Sequence, residues 1–148
     1  MDSYNYSLLA VPASWLVAMG PHFYAISLYG KQFHNSAPRQ SLSAIQRIEK
    51  PSATQRRIMR AEAANMNGFE GQGFFAAGVV AMNMAKLPAS TANALTFSYL
   101  ASRILFNLLY IYVESDSLAN LRSIVYVGGI GIVSTMFIKA GMVMQNVW

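Results

Sequence analysis

Four long apolar stretches alternate with polar ones along the chain, and the charged residues mark their limits. No Asp, Glu, Lys or Arg occurs between Asp2 and Lys31, and Leu8 to Tyr29 is mostly apolar or aromatic. A helix needs about 20 mostly apolar residues to cross a bilayer core, so this stretch predicts a first span over 7–30. A cleaved signal peptide is the rival reading, but no basic region precedes the apolar run. Pro12 and Pro21 inside it suit a kinked membrane helix, where neighbouring helices can satisfy the freed carbonyls. Ala61–Ala85 is apolar except for Glu62 and Glu70, and predicts a second span over 58–85. The Lys86–Ser90 turn leads to a third span over 91–113, interrupted only by Arg103. A polar turn at Glu114–Ser117 precedes the apolar run Leu121–Val147, which carries Arg122 and Lys139 and predicts a fourth span over 120–144. The expected fold is all-α, a four-helix integral membrane bundle forming one domain over 1–148.

Composition agrees with this pattern. Hydrophobic residues make up 54% of the chain and charged ones 11%, against about 25% charged in soluble domains. A water-soluble helical bundle is disfavoured, because so few charges cannot cover four amphipathic helices. The absence of Cys excludes disulfides, thiolate metal sites and a cysteine nucleophile. With only two His, no metal site is expected. The net charge of +5 is concentrated: seven of the eleven Lys and Arg fall between Lys31 and Arg60, beside the single acid Glu49. Basic residues that flank spans orient a membrane protein. The connector 31–57 is therefore expected in the cytosol, in contact with lipid headgroups. Nucleic acid is not an expected partner, since these residues lie in no nucleic-acid-binding motif.

Ionisable groups inside spans face a bundle interior or a partner. Arg60, Ala63, Asn67, Glu70 and Phe74 recur every three or four residues and form one helical stripe. Arg103 and Tyr110 lie on the third span, and Arg122, Ser123 and Tyr126 open the fourth. These groups are expected to converge in the cytosolic half, with Arg103 about 10 Å deeper than Tyr110. Carboxylate, carboxamide, guanidinium, phenol and hydroxyl together suit a small charged ligand entering from the cytosol, with apolar walls for a lipophilic second one. The simpler alternative is that Glu70 pairs with Arg103 or Arg60 to hold helices together. Gly128, Gly129 and Gly131 read as packing positions, His22 as a hydrogen-bonded interior group, and Asn83, Asn93 and Asn107 as interhelical or turn donors.

The segment Ala64-Asn65-Met66-Asn67-Gly68-Phe69-Glu70-Gly71-Gln72-Gly73-Phe74-Phe75 resembles the second-helix signature of the MAPEG family, membrane-associated proteins in eicosanoid and glutathione metabolism. Arg103 with Tyr110 resembles its third helix, and Leu121-Arg122-Ser123-Ile124-Val125-Tyr126 the start of its fourth. Asn35-Ser36-Ala37-Pro38-Arg39 resembles the Asn-x-x-Pro-Arg loop of bacterial and fungal members. The resemblance implies a homotrimer in an internal membrane (endoplasmic reticulum or similar) of a eukaryote, or the inner membrane of a bacterium. It implies glutathione as cosubstrate, bound between subunits near the cytosolic face. Asn67 and Glu70 would hold the glutathione backbone and Tyr110 its peptide, with Arg122 and Ser123 beside the sulfur and Arg60, Arg103 and Arg39 as supporting cations. Met66, Ala63, Phe106 and Gly73 stand where relatives carry Arg, a basic residue, often His, and Pro. Lys31, Arg39, Arg57 or Arg60 would then supply the cations that glutathione's two carboxylates need.

The expected activity is a glutathione-dependent transferase or peroxidase acting on a lipophilic electrophile. A guanidinium beside a thiol favours the thiolate, and Arg keeps its charge at neutral pH. Two alternatives stay open: an isomerase or cyclase of a lipophilic metabolite that uses no glutathione, and a non-catalytic lipid-binding partner protein.

Overall fold

The computed structural model describes residues 4–145. Among them the chain is helical with no strand. A short 3-10 turn, Ser7–Leu9, leads into α1 (Ala10–Tyr29). The connector holds a helix that the hydropathy pattern did not predict, α2 (Pro38–Gln46). Pro38 opens it where a missing N–H costs nothing. Its Ser41 and Ile45 are buried, and Ser41 Oγ accepts the His34 N–H at 3.0 Å. α3 (Ala53–Glu70) starts on a reciprocal cap in which Ser52 Oγ accepts from Gln55 N–H and the Gln55 side chain accepts from Ser52 N–H. Gly71 breaks the second span, and α4 (Gln72–Met84) completes it. α5 (Ala89–Tyr112) and α6 (Asp116–Gln145) follow. Asn146 and Val147, the end of the last apolar run, lie outside the described residues.

Three stretches are long and apolar enough to cross a bilayer: Ser7–Tyr29, Ala89–Tyr112 and Asn120–Gln145. Residues 58–85, expected as a second span, fall in α3 and α4, which are not among these three. α1 packs on α3 and α5, while α6 packs on α4 and α5. One core joins α4, α5 and α6 through Phe75, Val79, Met82, Tyr99, Val133 and Met136. A second joins α1, α2, α3 and α5 through Ala25, Tyr29, Ile45, Ile58, Ala61 and Ile111. Large apolar side chains such as Leu16, Phe23, Ile104, Leu108, Ile124, Val127 and Ile138 stay exposed. Monomeric soluble proteins rarely expose so many large apolar side chains together. This is an all-α integral membrane protein.

Pro21 lies inside α1 and decides which of its carbonyls need partners from other helices. A proline removes a hydrogen bond and frees a carbonyl one turn back. Asn107 of α5 donates to Val17 O at 2.9 Å, and Asn65 of α3 donates to Ala18 O at 2.9 Å. Lower down, Gln72 Nε2 donates to Ser14 Oγ at 2.8 Å. The α1–α3 crossing is tight: a Cβ on Gly68 would lie 2.8 Å from Ala18 Cβ. At the far end, Asn83 and Asn93 hold the N-terminal segment. Asn83 Nδ2 donates to Ser7 Oγ, and Asn93 Oδ1 accepts from Tyr6 N–H.

Candidate functional site

The polar side chains of the three spans lie in two tiers. The outer tier, at the connector end, is built on Arg60. Its Nε donates to Ile111 O at 2.9 Å, on the last turn of α5, and its Nη2 donates to Glu114 Oε1 at 2.7 Å. Arg56 Nη2 stands 3.5 Å from the other Glu114 oxygen. The Arg60 hydrogen bond and charge, helped by Arg56, hold the Glu114 carboxyl below its ordinary range. Arg122, on the first turns of α6, lies over the Tyr110 ring with its guanidinium carbon 4.2 Å from the centroid, within cation–π range. Ser123 beside it is exposed.

The inner tier centres on Arg103. Its guanidinium is buried and surrounded by the Tyr99, Phe106 and Tyr126 rings at 5.1, 5.3 and 5.2 Å. Nη2 donates to Tyr126 O at 3.3 Å, and Nε is buried with no hydrogen-bond partner. Gly129 makes room for it, because any Cβ there would collide with the guanidinium. That is a more specific duty than general packing. Phe106 touches both Tyr110 and Tyr126, at 5.4 and 5.9 Å between centroids. An unbroken aromatic and cationic wall therefore runs from Arg122 down to Arg103 across α5 and α6.

Arg60 bonds to Ile111, and Gly71 lies against the Tyr99 hydroxyl. This antiparallel register sets Asn67 level with Arg103, about 10 Å deeper than Tyr110 and Arg122. The groups expected to converge in the cytosolic half are thus spread over two levels, with Asn67 beside the deeper one. Asn67 Oδ1 is buried without a partner. Glu70, at the end of α3, is exposed and forms no ion pair among the described residues. Arg60 takes Glu114 instead, so the expected interhelical pair with Glu70 is not formed. Glu70 and Met66 share the open face of α3.

Arg39 lies elsewhere. It lines a cavity of about 480 Å³ between α1, α2 and α3, together with His22, Glu62, Asn65 and Met66. There His22 Nδ1 lies 3.1 and 3.0 Å from the two oxygens of Glu62, which is buried. His22 was legible as an interior group. Its partner was not, because Glu62 lies to one side of the α3 stripe that drew attention, about 80° from Glu70. The one signal was that an acid on the second span needs a polar partner.

Comparison with known families now bears on this arrangement. The profile of the MAPEG family matches residues 7–142. The chain belongs to the MAPEG family. The match covers nearly the whole chain, from the 3-10 turn to the last turns of α6. Neither the curated proteins nor the solved structures compared with it give a match. Membership supports a glutathione-related transferase or isomerase type of function in a membrane, in general terms, and fixes no particular reaction.

Proposed function

We propose that the chain is a membrane-bound glutathione-dependent transferase or peroxidase acting on a lipophilic electrophile. The observation that carries this reading is Arg122 stacked on Tyr110 at the head of the aromatic wall. It is a fixed cation with a phenol beside it, at the polar end of an otherwise apolar face. The remaining groups suit glutathione chemically. Asn67 Oδ1 is a buried acceptor with no partner and suits a peptide N–H. The exposed Glu70 carboxylate suits an ammonium. Arg122 is a cation for sulfur or carboxylate.

When bound, glutathione supplies the thiol that adds to the electrophile or reduces a hydroperoxide. Arg122 lowers the cost of the negative charge on sulfur; an adjacent cation shifts such a group by about 1–3 pH units. Tyr110 orients Arg122 and offers a hydroxyl, and Ser123 offers a second donor one residue on. Arg103 holds the floor of the site through its ring contacts and Tyr126.

Glu70 also argues for assembly. A carboxylate on an open helix face at mid-span cannot stay in hydrocarbon. We infer a homotrimer in which a neighbouring copy covers the α3 face and closes the site. The basic connector would lie in the cytosol, at an internal membrane of a eukaryote or the inner membrane of a bacterium.

The test is conjugation of an aryl halide in detergent with millimolar glutathione. Arg122→Ala is expected to reduce kcat/KM about 10- to 100-fold at pH 7, and the deficit should shrink above pH 8.5, where the thiol ionises unaided. Failure to bind millimolar glutathione, or full turnover in the variant, removes the proposal. Phe106, apolar among the polar groups, favours the glutathione-independent isomerase as second reading. Its mark is product formation that continues when glutathione is withdrawn.

A further inference from the structure

On the side of α5 away from Arg122, a groove of about 320 Å³ opens between α1 and α5. Val17, Gly20 and Tyr24 line one wall, and Ile104, Leu108 and Tyr112 the other. Tyr110 and Tyr112 point about 200° apart on the helix, so this groove and the Arg122–Tyr110 pair lie on opposite faces of α5. Its walls are apolar, because the polar group within it is already engaged: Asn107 Nδ2 donates to Val17 O. At Gly20 a Cβ would meet no atom within 4 Å, which leaves that part open. Ile104 to Tyr112 spans about 12 Å of helix, close to the depth of one leaflet's hydrocarbon.

The head of the groove is not apolar. The Tyr24 and Tyr112 rings stand 6.0 Å apart there, at the connector end of α1 and α5. The Arg57 guanidinium carbon lies 5.6 Å from the Tyr112 centroid. Arg57 Nε is buried with no hydrogen-bond partner. The nearby acid, Glu114, is engaged by Arg56 and Arg60, and Arg57 has no carboxylate partner among the described residues. A cation without a counter-ion therefore caps a lipid-facing apolar channel, flanked by two interfacial tyrosines of the kind that sit at headgroup level.

We propose that this groove is a binding site for one anionic glycerophospholipid of the connector-side leaflet. An acyl chain lies along Leu108, Ile104 and Gly20, and the phosphate pairs with Arg57 between Tyr24 and Tyr112. A zwitterionic lipid meets the same apolar walls, but its own ammonium offsets the phosphate. The lipophilic substrate belongs on the opposite face of α5, beside Arg122.

Native mass spectrometry of the full chain in detergent, with equal amounts of phosphatidylglycerol and phosphatidylcholine, tests the site. Preferential retention of phosphatidylglycerol by about fivefold is expected, the ratio that a single cation gives near a membrane surface. Arg57→Gln is expected to bring the two lipids to parity. Gly20→Leu, whose Cβ meets no atom within 4 Å, is expected to fill the channel and reduce retention of both. Arg47→Gln on the connector is expected to leave the preference intact. Equal retention by the unaltered chain overturns the proposal, as does a preference that survives Arg57→Gln or is lost equally in Arg47→Gln. If Gly20→Leu does not fold, the two arginine variants still decide the matter. None of these readouts uses glutathione or turnover, so the site stands or falls apart from the catalytic reading.

Discussion

Asn107 shows how one side chain can decide whether a proline is tolerated in a membrane helix. Its amide supplies the hydrogen bond that Pro21 takes away from Val17 O. Asn107→Leu keeps the volume but leaves that carbonyl unpaired in an apolar region. A buried unsatisfied group costs about 1–3 kcal/mol. Thermal unfolding in detergent is expected to show that loss, with Asn107→Gln less affected than Asn107→Leu; an unchanged Tm for Asn107→Leu would contradict the role. At this scale the sequence showed which side chains carry chemistry, since polar residues within apolar runs stand out. It did not show their partners. Arg60 and Glu70 share a stripe, yet Arg60 turns to Glu114 because the last turn of α5 presents Ile111 O and Glu114 to it together. The Glu62–His22 pair was hidden for the same reason: its two members come from different helices.

Charge spacing marked four apolar runs, and three of them coincide with helices long and apolar enough to cross a bilayer, where apolar length translates into span length. It missed α2, an amphipathic helix too polar on average to stand out from the connector, and the interruption at Gly71. Two local features of these elements can be checked. The turn between α4 and α5 puts Lys86 at φ 54°, while Leu87 N–H donates to Met82 O at 3.1 Å. A side chain in left-handed backbone costs about 1–2 kcal/mol, so Lys86→Gly is expected to stabilise by about 1 kcal/mol, read as a higher Tm. Gly68 at the α1–α3 crossing behaves in the opposite way. The atoms facing it belong to Ala18, including its Cα at 3.1 Å, and these cannot swing aside. Gly68→Ala is expected to cost about 1–3 kcal/mol through overpacking. A neutral result would mean that the two helices separate freely.

For the whole molecule, the connector end is tied by charge and the opposite end by amides. Glu114 joins α3 to the segment between α5 and α6, and its carboxyl titrates below the ordinary value of 4.5 because Arg60 donates to it and Arg56 adds charge. A depressed carboxylate pKa contributes stability above the unfolded value, and that contribution is lost as pH falls through the folded one. A carbon-13 NMR titration should therefore give Glu114 a midpoint under 4.5, returning upward in Arg60→Gln; equal midpoints would dissolve the tie. The fold class and family could be read from the sequence because they rest on pattern alone. The level of Asn67 beside Arg103 could not, since it depends on the register between α3 and α5. That register is fixed by contacts more than 50 residues apart, such as Arg60 with Ile111.

The carbonyl that Pro21 leaves free also governs how α1 can turn. Val17 O is held by α5 and Ala18 O by α3, and these two carbonyls point about 100° apart around the axis. Any roll of α1 in either direction breaks one of the two attachments. The helix is thus keyed at a single azimuth, and that azimuth presents His22, one turn beyond Ala18, to Glu62.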